Sequence, residues 1–474
     1  MLDTLARAGR EENESEGSMA SEDTDLESAS ASELAAAVAA RRVSALALCD
    51  AAIRRVERLD ASINAVVVRD FERAREQARA RDEALAHGEL RPLLGVPMTV
   101  KESYNVAGLP TTWGLPPFRG ALATQDAVLV ARLKAAGAVI LGKTNVPPAL
   151  ADWQSDNPIY GRTLNPHDPK RTPGGSSGGA AAAVASGMVA LELGSDIGGS
   201  IRVPAHFCGV FGHKPSFGLL PQRGHDFPGT EGTAAVDLAV CGPLARTARD
   251  LALALDVLAG PDADEAVGYH LALPAPRHET LAGCRMLVLA EHPCARTEAP
   301  LRAALEMLVG DLAKAGARIE RASPLLPDLA AAHKAYVTML TTITTRGVPG
   351  ERAVISAHDW FNLLDHRERV RRQWRSLFDA FDVVLTPPFG VAAFEHVDEP
   401  DWRLRTLVID GEPTPYGDQL AWPGVATFAG LPATVAPMAT NAAGLPMGVQ
   451  IVGPYLGDRT TIAVAGQIGA IGRR

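Results

Sequence analysis

Two glycine-flanked hydroxyl sites, joined by a short apolar segment, constrain this chain more than any other feature. They fall within residues 173–216, which read PGGSSGGAAAAVASGMVALELGSDIGGSIRVPAHFCGVFGHKPS. Ser176 and Ser177 stand between Gly174-Gly175 and Gly178-Gly179, and Ser200 follows Gly198-Gly199. Glycines on both sides of a hydroxyl let backbone come close to a ligand or another segment. The small uncharged residues 180–186 predict a buried helix, with Gly187 as its stop. Residues 189–193 read as a short strand, 196–200 as a loop and 201–208 as the opening of a helix. The first amides of a helix have no internal partner. A Gly-Gly turn feeding such an end gathers N–H groups at one point, which is an anion or oxyanion site. Ser200 would sit in that ring of donors, where a nucleophile belongs. Taken alone, these serines also suit a plain loop and a helix N-cap.

The remaining chain reads as alternating helices and strands. Ser30 and Glu33 form a capping box that opens a first helix. Helices follow at 45–59, 72–86 and 126–137, the arginines of 72–86 making a solvated face. A strand over 93–101 ends at Lys101, and another covers 138–141. A lysine at the end of an apolar strand is usually a snorkelling surface group, but strand ends in α/β sheets also carry chemistry. Lys143 reads as a structural or substrate-side group and Lys214 as a structural one. Further helices are expected at 247–259, 300–315, 331–345 and 353–381, the last with an exposed face over 366–375. Strands are expected at 285–290, 318–321, 383–386, 433–437 and 448–452, with 395–422 loop-like. This alternation implies a mixed or parallel sheet covered by helices.

The motif order GGSSGG, alanine-rich helix, G-S-D-I-G-G-S-I-R-x-P-A, G-x-K-P-S resembles the amidase signature family of serine hydrolases. Residues 94–102, LGVPMTVKE, resemble that family's lysine strand, and 161–166, GRTLNP, its approach to the serine loop. Residues 382–387 and 430–454 resemble its closing strands. The resemblance implies an α/β fold: one large domain over 29–474 with a central, mixed, twisted β-sheet covered by helices on both faces. It implies a Ser–cis-Ser–Lys triad acting through an acyl-enzyme, with a cis peptide bond before Ser176. In that scheme Ser200 is the nucleophile, Ser176 relays the proton and Lys101 is the base. The amides of Ile197, Gly198, Gly199 and Ser200 are the expected oxyanion donors. A lysine base must be neutral, and bringing one from about 10.4 to about 7–8 requires burial away from water and anions.

Composition narrows the partners. A formal charge of −9 and the lack of a basic, aromatic-interleaved patch argue against nucleic acid. The five scattered cysteines lack CxxC pairing and read as reduced thiols of a cytoplasmic protein. No clustered His/Cys motif suggests a metal, and no cofactor is expected. Residues 1–28 are acidic and poor in large apolar side chains, so disorder is expected there, without a secretory signal. No apolar run has the length of a membrane span. The expected partner is a small amide-type substrate; the sequence leaves the oligomeric state open, with a homodimer as one option.

Two other readings compete. Residues 174–178 fit G-x-S-x-G, the nucleophile elbow of an α/β-hydrolase esterase, with Ser176 attacking. The elbow should follow a strand, and 168–173 does not read as one. A phosphate cradle at GGSSGG lacks the Gly-Lys-Ser/Thr ending of a P-loop. Within the amidase resemblance, glutaminase subunits of tRNA-dependent amidotransferases carry polar residues for free glutamine near the C-terminus. Here Trp422, Pro423, Val425 and Phe428 stand in that region. Tyr104, Trp113 and Trp153 lie near the lysine strand, and Gly174 and Gly175 beside the serines. With Tyr104, Trp153, Gly174, Gly175 and Trp422 as substrate contacts, the expected substrate is a fairly apolar amide, anilide or carbamate.

Overall fold

The computed structural model describes residues 28–230, 232–345 and 354–472. The acidic segment expected to be disordered lies outside them up to residue 27. Twelve α-helices among the described residues flank an eleven-stranded mixed sheet. Across the sheet the strands run Val66–Arg69, Val139–Thr144, Pro97–Lys101, Leu191–Asp196, Val240–Ala245, Phe211–Lys214, Ala433–Thr440, Pro446–Val452, Val383–Thr386, Arg285–Val288 and Arg318–Glu320. Pro97–Lys101 pairs in parallel with both of its neighbours. The next five pairings, out to Val383–Thr386, are antiparallel.

Successive residues of a strand face opposite sides of a sheet, and the core divides accordingly. Met286 and Val288 join one buried cluster and Leu287 the other; Val383 and Leu385 part from Val384 in the same way. With both faces covered, strands read as continuous apolar runs with no polar alternation.

Several boundaries differ from those the sequence suggests. The lysine strand begins at Pro97, because residues 92–95 form a turn. The strand expected over 189–193 is Leu191–Asp196. All six of its residues pair with Val240–Ala245, so tertiary pairing carries Gly194, Ser195 and Asp196 into the ladder against their low strand propensity. Residues 366–375 are not a uniformly exposed face, since Val370 and Trp374 are buried against the second cluster. The segment 395–422 is not loop-like. Thr406–Ile409 pairs with Glu412–Pro415 across Asp410-Gly411, both at positive φ, and a 3-10 turn, Tyr416–Leu420, leads into the helix Ala421–Thr427. Asp-Gly between two short runs is a strong two-residue hairpin signal, masked here by Pro413 and Pro415. A closing helix, Asp458–Gly472, adds to the elements expected from sequence and packs on Ala433–Thr440.

Candidate active site

Three segments distant in sequence meet at the C-terminal ends of two adjacent parallel strands. Lys101 ends one strand, and Ser195 and Asp196 end its neighbour. The Lys101 side chain is fully buried. Its Nζ lies 2.6 Å from Ser176 Oγ, 3.0 Å from Ser195 Oγ and 3.5 Å from the Ser195 carbonyl. No carboxylate forms an ion pair with it among the described residues. Burial brings its amine down to about 7, against the opposing pull of Asp196, Cys241 and Glu192. At neutral pH a large fraction is therefore the free base.

Ser176 enters through a cis Gly175–Ser176 peptide. Gly175 leaves no room for a side chain: an added Cβ would lie 2.4 Å from the Asp152 carbonyl and 2.6 Å from that of Gln154. Gly174, at φ 89°, donates its N–H to Thr172 Oγ1, while its carbonyl accepts from Ser155 Oγ. Ser177 ties the two glycine loops together. Its N–H donates to the Ser200 carbonyl at 3.1 Å, and its hydroxyl donates to the Ser195 carbonyl and accepts from the Ser195 N–H. It then serves as the N-cap position of the helix Gly178–Ala185 without a side-chain cap bond.

The second loop is built around Asp196. Its carboxylate accepts from the amides of Gly199, Ile201 and Arg202 and from two nitrogens of the Arg202 guanidinium. Burial alone would push this acid up, but Arg202 and the amides outweigh it and hold it at about 2. Arg202 is itself satisfied by Pro423, Thr427 and Gln450. The helix Arg202–Cys208 has Ile201 as its N-cap position, so Ser200 does not cap it. One expected oxyanion donor needs correction. The Gly199 N–H is already committed to Asp196, which leaves Ile197, Gly198 and Ser200 with amides that make no internal hydrogen bond among the described residues. The carbonyls of the same loop are held from outside: Tyr336 Oη donates to Ile197 and Trp153 Nε1 to Gly198, each at 2.8 Å.

The expected substrate contacts take varied positions. Tyr104 is fully buried, its hydroxyl donating to the Gly194 carbonyl and its ring packed on His225. Trp422 is fully buried against His292. Both are buried core residues. Trp153 joins an aromatic group with Phe389, Trp402 and Tyr416 beside the Gly198 carbonyl. Lys143 is buried, donating to the Pro110 carbonyl and Thr111 Oγ1. Lys214 donates to the Pro215 carbonyl. Neither touches the serines.

Sequence reasoning missed Ser195, Tyr336 and Glu192. Ser195 lies in the open beside Asp196, but nothing local indicates that its hydroxyl faces the lysine. Tyr336 is remote in sequence and carries no motif. Glu192 lies on the strand beside Lys101, accepts from Thr144 Oγ1, and is pushed up to about 8 by burial. The described residues bring together one set of potential metal ligands, His278, Cys284 and Asp382. Its carboxylate already serves Arg277, His278 and Arg285. No helix among them is long and apolar enough to cross a membrane.

Comparison with known proteins adds three kinds of likeness. The family model described as Amidase matches residues 47–346 and 338–462. A putative amidase of Mycobacterium tuberculosis, AmiB2, is 34% identical over 488 residues, covering 94% of this chain and 96% of that protein. A glutamyl-tRNA(Gln) amidotransferase subunit of Roseiflexus castenholzii is 32% identical, covering 89% and 91%. Among solved structures, a bacterial aryl acylamidase of the amidase signature enzymes superposes with a TM-score of 0.78 at 25% identity, covering 93% and 95%.

Proposed function

The chain belongs to the amidase-signature family and is an amidase, a hydrolase of carbon–nitrogen bonds; from that premise we propose a mechanism and a substrate class. Ser200 attacks the amide carbonyl. Its proton passes to Ser176, whose own proton passes to neutral Lys101. The oxyanion is received by the free amides of Ile197, Gly198 and Ser200. Lys101 and Ser176 then return a proton to the departing amine, leaving an acyl group on Ser200, and water releases it by the same relay. Amides need this because the leaving amine is poor until protonated.

The observation that carries the reading is the buried lysine bonded to Ser176, with no direct carboxylate partner among the described residues. A resting ammonium there would have no carboxylate in direct contact among the described residues, and burial outweighs the pull of Asp196 and Glu192, so the site favours a free amine able to take a proton. Ser176 as the nucleophile of an elbow hydrolase has no such support, since its partner is the lysine and the preceding residues make only isolated bridges.

The substrate class is a fairly apolar amide, anilide or carbamate. The aromatic group around Trp153 borders the reactive loop, and a protein of the same fold is named for its action as an aryl acylamidase. The amidotransferase likeness makes free glutamine the competing substrate. The test is turnover of a panel of aryl amides, short aliphatic amides and glutamine, with a fluorophosphonate label located by peptide mass spectrometry. Aryl-amide turnover with the label on Ser200 is expected. Glutamine turnover without aryl-amide turnover overturns the substrate class, and a label on Ser176 overturns the mechanism.

A further inference from the structure

The loop that carries the proposed oxyanion donors is held by two aromatic side chains from remote segments. Tyr336 lies on the helix Leu329–Thr344 and Trp153 in the irregular segment before the serine loop. Each donates to a loop carbonyl, Tyr336 to Ile197 and Trp153 to Gly198, both at 2.8 Å. A trans peptide is planar, with its C=O and its N–H pointing to opposite sides. A donor that fixes a carbonyl therefore also fixes the direction of the next residue's N–H. Held by Trp153, the Gly198–Gly199 peptide turns its N–H to Asp196, where it is bonded at 3.0 Å. Held by Tyr336, the Ile197–Gly198 peptide turns the Gly198 N–H away from the tyrosine, with no internal partner among the described residues.

We propose that Tyr336 is a positioning residue that sets the Gly198 N–H as an oxyanion donor by holding the Ile197 carbonyl. The inference rests on the amidase mechanism above and adds to it a residue outside every motif of the chain. Glycine at 198 and 199 gives the loop little conformational preference of its own, so its peptide planes depend on outside partners. Tyr336 is fully buried, and burial keeps its phenol protonated and donating. Its ring is seated against Gly424, where an added Cβ would fall 2.8 Å from Tyr336 Cδ1. The helix Ala421–Thr427 thus sets the ring, the ring sets a carbonyl, and the carbonyl sets an amide.

The test compares Tyr336→Phe with wild type in steady-state hydrolysis of an aryl amide and in inhibition by an aryl trifluoromethyl ketone. With the ketone, Ser200 Oγ bonds to the carbonyl carbon, its proton leaves through Ser176 to Lys101, and the carbonyl electron pair becomes an oxyanion in the same donor ring. Loss of a whole oxyanion donor costs about 10²- to 10³-fold in kcat. A donor misdirected but still present should cost about 10- to 100-fold. The expected result is that fall in kcat, KM within about twofold, and a parallel loss of ketone affinity. Lys334→Ala, an exposed change on the same helix, keeps wild-type values. If Tyr336→Phe does not fold, Gly424→Ala displaces the ring and should give the same kcat-selective loss. Unchanged kcat, or lost kcat with ketone affinity intact, overturns the inference alone. A wild-type protein that neither hydrolyses aryl amides nor binds the ketone overturns the parent reading and this one with it.

Discussion

Replacing Lys101 by methionine should abolish turnover and yet make the protein more stable. The unfolded amine keeps its proton up to 10.5, whereas the buried one releases it near 7. Between those values the unfolded state binds more protons, so the stability cost of the native lysine is greatest at low pH and fades as pH rises. Holding the amine at about 7 costs the fold about 5 kcal/mol at or below pH 7, and about 2 kcal/mol at pH 9. Methionine removes that cost but leaves the hydroxyls of Ser176 and Ser195 without their lysine partner. Losing those two hydrogen bonds offsets about 1 kcal/mol each. The net expectation is a gain of about 3 kcal/mol at pH 6 that shrinks to near zero by pH 9. Guanidinium unfolding of both proteins at each pH measures it directly. A variant less stable than wild type at pH 6, or a difference independent of pH, would refute the reasoning.

Other outcomes follow from the same geometry. With a base near 7, kcat/KM of the wild type should rise about tenfold between pH 6 and pH 8 and then level off; a flat profile would remove Lys101 from the proton path. Asp196→Asn keeps the shape but leaves the buried Arg202 charge without its counter-ion, so a loss of about 3–5 kcal/mol of stability is expected by denaturant titration. Gly175→Ala forces a methyl into the carbonyls of Asp152 and Gln154; the soluble protein should lose fluorophosphonate labelling, and normal labelling would show that the loop has slack.

Much of this site is legible because its residues sit in short, dense runs. Residues 173–216 hold Ser176, Ser200 and the Gly-Gly turn together, and the chemistry of glycine and hydroxyl at close spacing is local. The strand that bears Lys101 can be read, but its start cannot, because a turn over 92–95 replaces the first residues of an apolar run. What escapes is set by contacts between remote segments. Ser195 faces the lysine only because two parallel strands align at Thr99 and Glu192. Tyr336 reaches the loop from 139 residues away. The Gly199 amide reads as a free donor in the sequence, yet Asp196 claims it in the fold. Tyr104 and Trp422 read as pocket walls and are buried in the fold, as are Lys101, Ser176 and Ser200; sequence alone does not separate a ring that meets a ligand from one that meets the core.

The order of strands in the sheet also bears on how the molecule is made. Ala433–Thr440 and Pro446–Val452, late in the chain, lie between the strands of residues 66–245 and those of residues 285–386. During synthesis the two earlier groups of strands therefore emerge with bare edges facing one another. This late hairpin joins them in the sheet, and such unpaired edges are where nascent chains associate wrongly. The same hairpin brings Gln450 to Arg202. This late hairpin thus closes the sheet and braces the reactive loop in one event, so a chain that stops before it carries all three proposed reacting residues without the support that orients them.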